Sequence, residues 1–85
     1  MQAETVIDVD SSVNGKLLDR LLGMAHRYRS EGNLRQAMEL YWALLDKHPG
    51  TVQAQSARVS LLNQAEAYER AGTSRSARAV YERLL

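Results

Sequence analysis

The tightest constraint on what this chain can fold into is that it repeats itself at an offset of forty residues. Ala25 meets Ala65, Tyr28 meets Tyr68, Gly32 meets Gly72, Ala37 meets Ala77, Tyr41 meets Tyr81, Leu44 meets Leu84 and Leu45 meets Leu85. Leu21 also meets Leu61. The matches fall on small, aromatic and leucine positions, where helix packing is most demanding. A fixed internal period of this size marks a supersecondary unit that cannot bury its apolar face alone and stacks on a neighbour.

Each unit reads as helix, tight turn, helix. In the first, Leu18, Leu21, Leu22, Ala25 and Tyr28 recur at steps of three and four, which lines them along one helical face. Gly32 stands where a left-handed residue ends that helix. Asn33 is the expected N-cap of the next, with Gln36 three residues on in a capping-box arrangement. The second stripe is Leu34, Ala37, Met38, Tyr41, Leu44 and Leu45, with His48 in its last turn and Pro49-Gly50 as the stop. Thr51 is the expected cap of a third helix with stripe Ala54, Ala57, Leu61, Ala65 and Tyr68. Gly72 ends it, Thr73 or Ser74 caps the fourth, and Ala77, Val80, Tyr81 and Leu84 form the last stripe. The pattern predicts a helical domain over residues 16–85, with repeat one at about 17–50 and repeat two at about 51–85. Residues 1–15 read as a flexible acidic tail.

These residues resemble the tetratricopeptide repeat, whose pattern is Trp, two residues, Leu-Gly, two residues, Tyr, then Ala, three residues, Phe, then Pro. The first unit answers with Leu21, Met24-Ala25, Tyr28, Ala37, Tyr41 and Pro49, and the second with Leu61, Gln64-Ala65, Tyr68, Ala77 and Tyr81. Leu replaces Trp in both units, Ala replaces the first Gly in both, and Gln64 replaces an apolar residue. The forty-residue period exceeds the family's roughly 34, and the surplus falls between Pro49 and Leu61. Other helical-repeat arrays obey the same packing rules. The resemblance implies an all-α fold of two stacked antiparallel hairpins, a fragment of a right-handed α-solenoid.

Composition narrows the function classes. The chain is 45% hydrophobic and 25% charged, an ordinary globular balance, and has no Cys. Disulfides and cysteine zinc sites are therefore excluded. The first twelve residues carry Glu4, Asp8 and Asp10 and no base, unlike the positive start of a secretory signal. No apolar run is long enough to span a bilayer. A cytoplasmic location and no membrane insertion are expected. Net charge is +1, with all 11 bases lying beyond residue 15. That modest surplus falls short of the basic stripe of a nucleic-acid binder.

No constellation of catalytic residues stands out. His26 and His48 lie on different helices, so neither a metal site nor a cofactor is expected. Glu66 and Glu69 share a helix face, but Arg70 is adjacent and the face reads as solvated. Ser56, Ser60, Ser74 and Ser76 lack a His and carboxylate arranged to activate them. The chain is thus expected to be non-enzymatic: an adaptor or assembly subunit binding a peptide or amphipathic helix. The alternative is a small RNA-associated helical module, because Arg70, Arg75 and Arg78 cluster near Tyr68. Glu66, Glu69 and Glu82 interleave with that cluster and cancel its field.

In tetratricopeptide proteins the first helices of successive hairpins line a concave groove. The resemblance puts Asp19, Leu22, His26 and Arg29 of unit one there, with Val59, Leu62, Glu66 and Glu69 of unit two. The lysines and asparagines with which co-chaperone members grip a terminal carboxylate are matched only at Asn63, so that role is not expected. A second surface is expected from Met38, Trp42 and Leu45, an apolar line beside the core stripe, and from Leu84 and Leu85. It reads as an association surface, through which the chain forms a homo-oligomer or joins a larger complex.

Overall fold

A computed structural model describes the backbone of residues 2–85 and the side chains of residues 13–85. Four helices follow one another: α1 (Gln2–Ser30), α2 (Leu34–Lys47), α3 (Val52–Arg70) and α4 (Ser74–Leu84). The protein is all-α, with no strand among the described residues. α1 pairs with α2 and α3 with α4 as two hairpins, and α3 seats the second hairpin against α2 and, more lightly, α1. The expected tail at 1–15 falls largely on residues whose side chains lie outside the described ones.

The two hairpin turns are built alike, as the repeat requires. Gly32 and Gly72 have φ of 85° and 83°, in the left-handed region that favours glycine. In the first turn, Gly32 N–H donates to Arg29 O and Asn33 N–H to Tyr28 O, at 3.2 and 2.8 Å. In the second, Gly72 donates to Glu69 O and Thr73 to Tyr68 O, at 3.0 and 2.9 Å. Each is a Schellman closure, which satisfies carbonyls that the ending helix would otherwise leave unpaired.

Capping differs from expectation at two of three sites. Thr51 caps α3 as expected, its hydroxyl accepting from Ala54 N–H at 3.0 Å. Asn33 occupies the N-cap of α2 without a side-chain cap bond, so the capping box with Gln36 does not form. Thr73 occupies the N-cap of α4, but its hydroxyl donates backwards to Tyr68 O at 2.9 Å. The cause is shared: each residue already closes the preceding helix, so its backbone is set by the turn. His48 likewise lies one step beyond the expected last turn, as the C-cap of α2.

The core follows the predicted stripes. Leu18, Ala25, Ala37, Tyr41, Leu44, Ala57, Leu61, Ala65 and Val80 form one buried cluster. The alanines leave only a methyl group between the helices, which lets the backbones approach, and Tyr41, Leu44 and Leu61 fill the remaining volume. Ser60 is also buried, a polar position the apolar pattern did not reveal.

Gly32→Ala and Gly72→Ala should each destabilise the protein by about 1–2 kcal/mol through left-handed strain, since no neighbouring atom obstructs the added methyl. Leu61→Ala should cost ~2–5 kcal/mol as a core truncation. Urea titrations followed by circular dichroism would test both, and matched effects at the two glycines are the signature of the duplicated turn.

Candidate functional site

The expected groove residues divide into those that remain open and those already engaged. Asp19, Arg29, Val59, Leu62 and Glu66 are exposed, whereas Leu22 is half-buried against the core. Asp19 accepts from Gln53 Nε2 at 2.7 Å, a polar tie between the first helices of the two hairpins. His26 leans on α2, where its Nδ1 is hydrogen-bonded to the Tyr41 hydroxyl at 2.7 Å and the rings lie 5.6 Å apart. Glu69 accepts a hydrogen bond from the Tyr81 hydroxyl of α4. His26 and Glu69 thus each brace a hairpin from within, at its open edge.

That brace alters the chemistry of Tyr81. A phenol donating to a carboxylate must break that bond to ionise, and the resulting phenolate would face the Glu69 charge. The hydrogen bond to Glu69, with smaller contributions from burial and from the charges of Glu69 and Glu66, pushes the Tyr81 pKa from 10.0 up to about 12.

The expected association surface is mostly the seam between hairpins. Met38, Trp42, Leu45 and Leu84 are half-buried and pack against the core cluster, while Leu85 is fully exposed. The Tyr68 hydroxyl donates to the Met38 sulfur at 3.5 Å. Arg83 lays its guanidinium 4.1 Å from the centroid of the Trp42 ring and donates to Asp46 at 3.1 Å. Arg58 reaches from α3 to the last turn of α4, donating to Leu84 O at 2.8 Å. Arg58, Arg83 and Asp46 were not singled out by the sequence pattern. Lone charges on a helix carry no spacing signal, although each arginine sits beside the apolar residues it covers.

Several concave regions result among the described residues. A cleft of ≈ 460 Å³ opens among Trp42, Leu45, Arg58, Arg83, Leu84 and the Pro49–Val52 turn. A smaller one, ≈ 280 Å³, lies among Arg58, Leu62, Tyr81, Leu84 and Leu85. Leu62, expected in the groove, therefore meets Leu84 and Leu85, expected in the association surface, on one face of the second hairpin. No group of three or more His, Cys, Asp or Glu able to hold a metal ion occurs among the described residues. Among them too, no helix is long and apolar enough to cross a membrane. In the RNA alternative's arginine cluster, Arg78 is paired with Glu82 at 3.1 Å. No protein family, curated protein or solved structure matches the chain, so its functional reading rests on its own residues.

Two outcomes are expected. Arg83→Ala should shift Trp42 emission to longer wavelength and cost ~0.5–1 kcal/mol, the scale of an exposed cation–π contact. Tyr81 should ionise later than an ordinary tyrosine when phenolate absorbance is followed with rising pH. Because its folded pKa is raised, its contribution to stability is complete below pH 10.0 and is lost as pH rises through about 12. Glu69→Ala should return Tyr81 toward its ordinary value and remove that alkaline dependence of stability.

Proposed function

We propose that this chain is a non-enzymatic, tetratricopeptide-like interaction module that binds a peptide or amphipathic helix along the α1 and α3 faces. The observation that carries this reading is the mixed character of that face. Val59 is 50% exposed and Leu62 43% exposed, with Arg29 and Glu66 at the same helical spacing. Apolar residues left open on a rigid pair of helices, flanked by both signs of charge, suit a partner with an apolar stripe and charged flanks. Cytoplasmic adaptor or assembly work fits this chemistry, and no cofactor enters the proposal.

The stack supplies what binding needs beyond contacts. Its hairpin turns are closed by backbone hydrogen bonds and its seam by Arg83, so the receiving surface is pre-ordered and little conformational entropy is lost on association. The flanking charges would set orientation and encounter rate more than affinity.

Fluorescence anisotropy with a panel of labelled amphipathic-helix peptides tests the reading, with a single-stranded RNA oligonucleotide as the comparison. Peptide binding should persist as salt rises and should weaken about tenfold or more in Arg29→Glu or Glu66→Lys, with helicity unchanged. If only the RNA binds, with affinity falling steeply in salt, the protein-binding reading is wrong and the RNA alternative takes its place.

A further inference from the structure

The forty-residue offset relates more than the two hairpins. It also predicts what each free end of the stack would meet if the stacking continued. In the first hairpin, Tyr41 and Leu44 belong to the buried cluster that the two hairpins share and are each only 1% exposed, and Leu22 and Leu45 pack against that cluster. At the same offset the second hairpin carries Leu62, Tyr81, Leu84 and Leu85, residue for residue the same types. There the side chains are open: Leu62 and Leu85 are exposed, and Tyr81 and Leu84 are half-buried. The receiving surface is therefore present twice and covered once.

Among the described residues, the opposite end carries an open apolar line as well. Val13, Leu17 and Met24 on α1 are exposed large apolar residues. Val13 and Leu17 stand forty residues before Gln53 and Ala57, positions on the helix that docks the second hairpin.

We propose that these two ends bind each other in a second copy of this chain, so that copies stack head to tail by continuing the internal repeat. The inference rests on the stack and not on the peptide-binding reading above, with which it shares Val59 and Leu62, so a stacked copy and a bound peptide would compete for those two residues. The deciding detail is how the paired positions change together. Inside the chain, Asp19 of the first hairpin is hydrogen-bonded to Gln53 of the second at 2.7 Å. Shifted by one repeat, that pair becomes Val59 of one copy against Val13 of the next. Where the internal contact is polar on both sides, the two free ends are apolar on both sides. A second internal pair, the Tyr68 hydroxyl on Met38, becomes Tyr28 of the next copy facing Arg78, and a guanidinium can donate to that phenolic oxygen. The ends differ from the internal interface, yet they differ in matching ways.

Such an interface is heterologous, since the surface given differs from the surface received, so it leads to rings or open filaments and does not stop at a pair. That property makes it testable with exposed residues alone. A head-blocked chain carries Val13→Glu with Leu17→Glu, and a tail-blocked chain carries Val59→Glu with Leu62→Glu. All four residues are exposed, and circular dichroism verifies that both variants remain folded. Light scattering across a concentration series should find the unaltered chain growing past twice the single-chain mass, and each blocked variant staying a single chain. Mixing the two variants should produce a two-chain complex and nothing larger, because one open head meets one open tail. The proposal is overturned if the unaltered chain stays monomeric at every concentration. It is equally overturned if the head-blocked chain alone assembles as the unaltered one does, or if the mixture stays monomeric while the unaltered chain grows. Arg29→Glu, which disables the proposed groove, should leave this assembly intact, so the two readings fail separately.

Discussion

Close approach of helix backbones across alanine is what the rest of the structure depends on. Ala25, Ala37, Ala57 and Ala65 have no exposed surface, and Ala54 and Ala77 almost none. A larger residue at any of these positions would push two helices apart along their length, because a packed interior has no spare volume to absorb it. With the backbones this close, a few large side chains suffice to fill the core, and Tyr41, Leu44 and Leu61 do so. This resolves how a chain without a single Phe builds a continuous apolar centre. Volume is saved at the contact and supplied beside it.

The arginines play the complementary part at the edges. Arg58 satisfies the Leu84 carbonyl where α4 runs out of internal N–H donors, and Arg83 spans Trp42 and Asp46 to hold α4 onto α2. Both arginines stay exposed while their guanidinium groups lie against the Trp42 ring and the Leu84 carbonyl, so surface is covered without removing charge from water. The pairs Arg35–Glu39 and Arg78–Glu82, by contrast, are exposed and run along single helices. They contribute solubility and a few tenths of a kcal/mol at most, about the value of such i,i+4 pairs.

Much of this architecture was legible in the order of residues. The helical stripes, the two glycine stops and the Thr51 cap are local signals, and local signals survive folding unchanged. The capping box at Asn33 and Gln36 was a local signal too, yet it failed, because the backbone at Asn33 answers to the turn that precedes it. The surfaces were harder to read. Trp42 and Met38 look unpartnered along their own helix and find their partners, Arg83 and Tyr68, in the other hairpin. His26 and Glu69 have the spacing of an open face, but each has a tyrosine across the hairpin within reach. Periodicity reports which side of a helix is apolar. It does not report which neighbour arrives at its border.

One residue in each hairpin turn, Asn33 and Thr73, ends one helix and begins the next. Nothing between the helices of a hairpin can be lengthened or shortened without breaking a closing hydrogen bond. Between the hairpins the chain instead passes through His48–Thr51, an exposed stretch anchored at its far end by the Thr51 cap. A change in length is thereby steered away from the two hairpin turns and toward the joint between the hairpins. Beyond that joint, α3 runs from Val52 to Arg70, longer than the α2 that precedes it. A duplicated protein of this design keeps its angles and spends its freedom on its spacing.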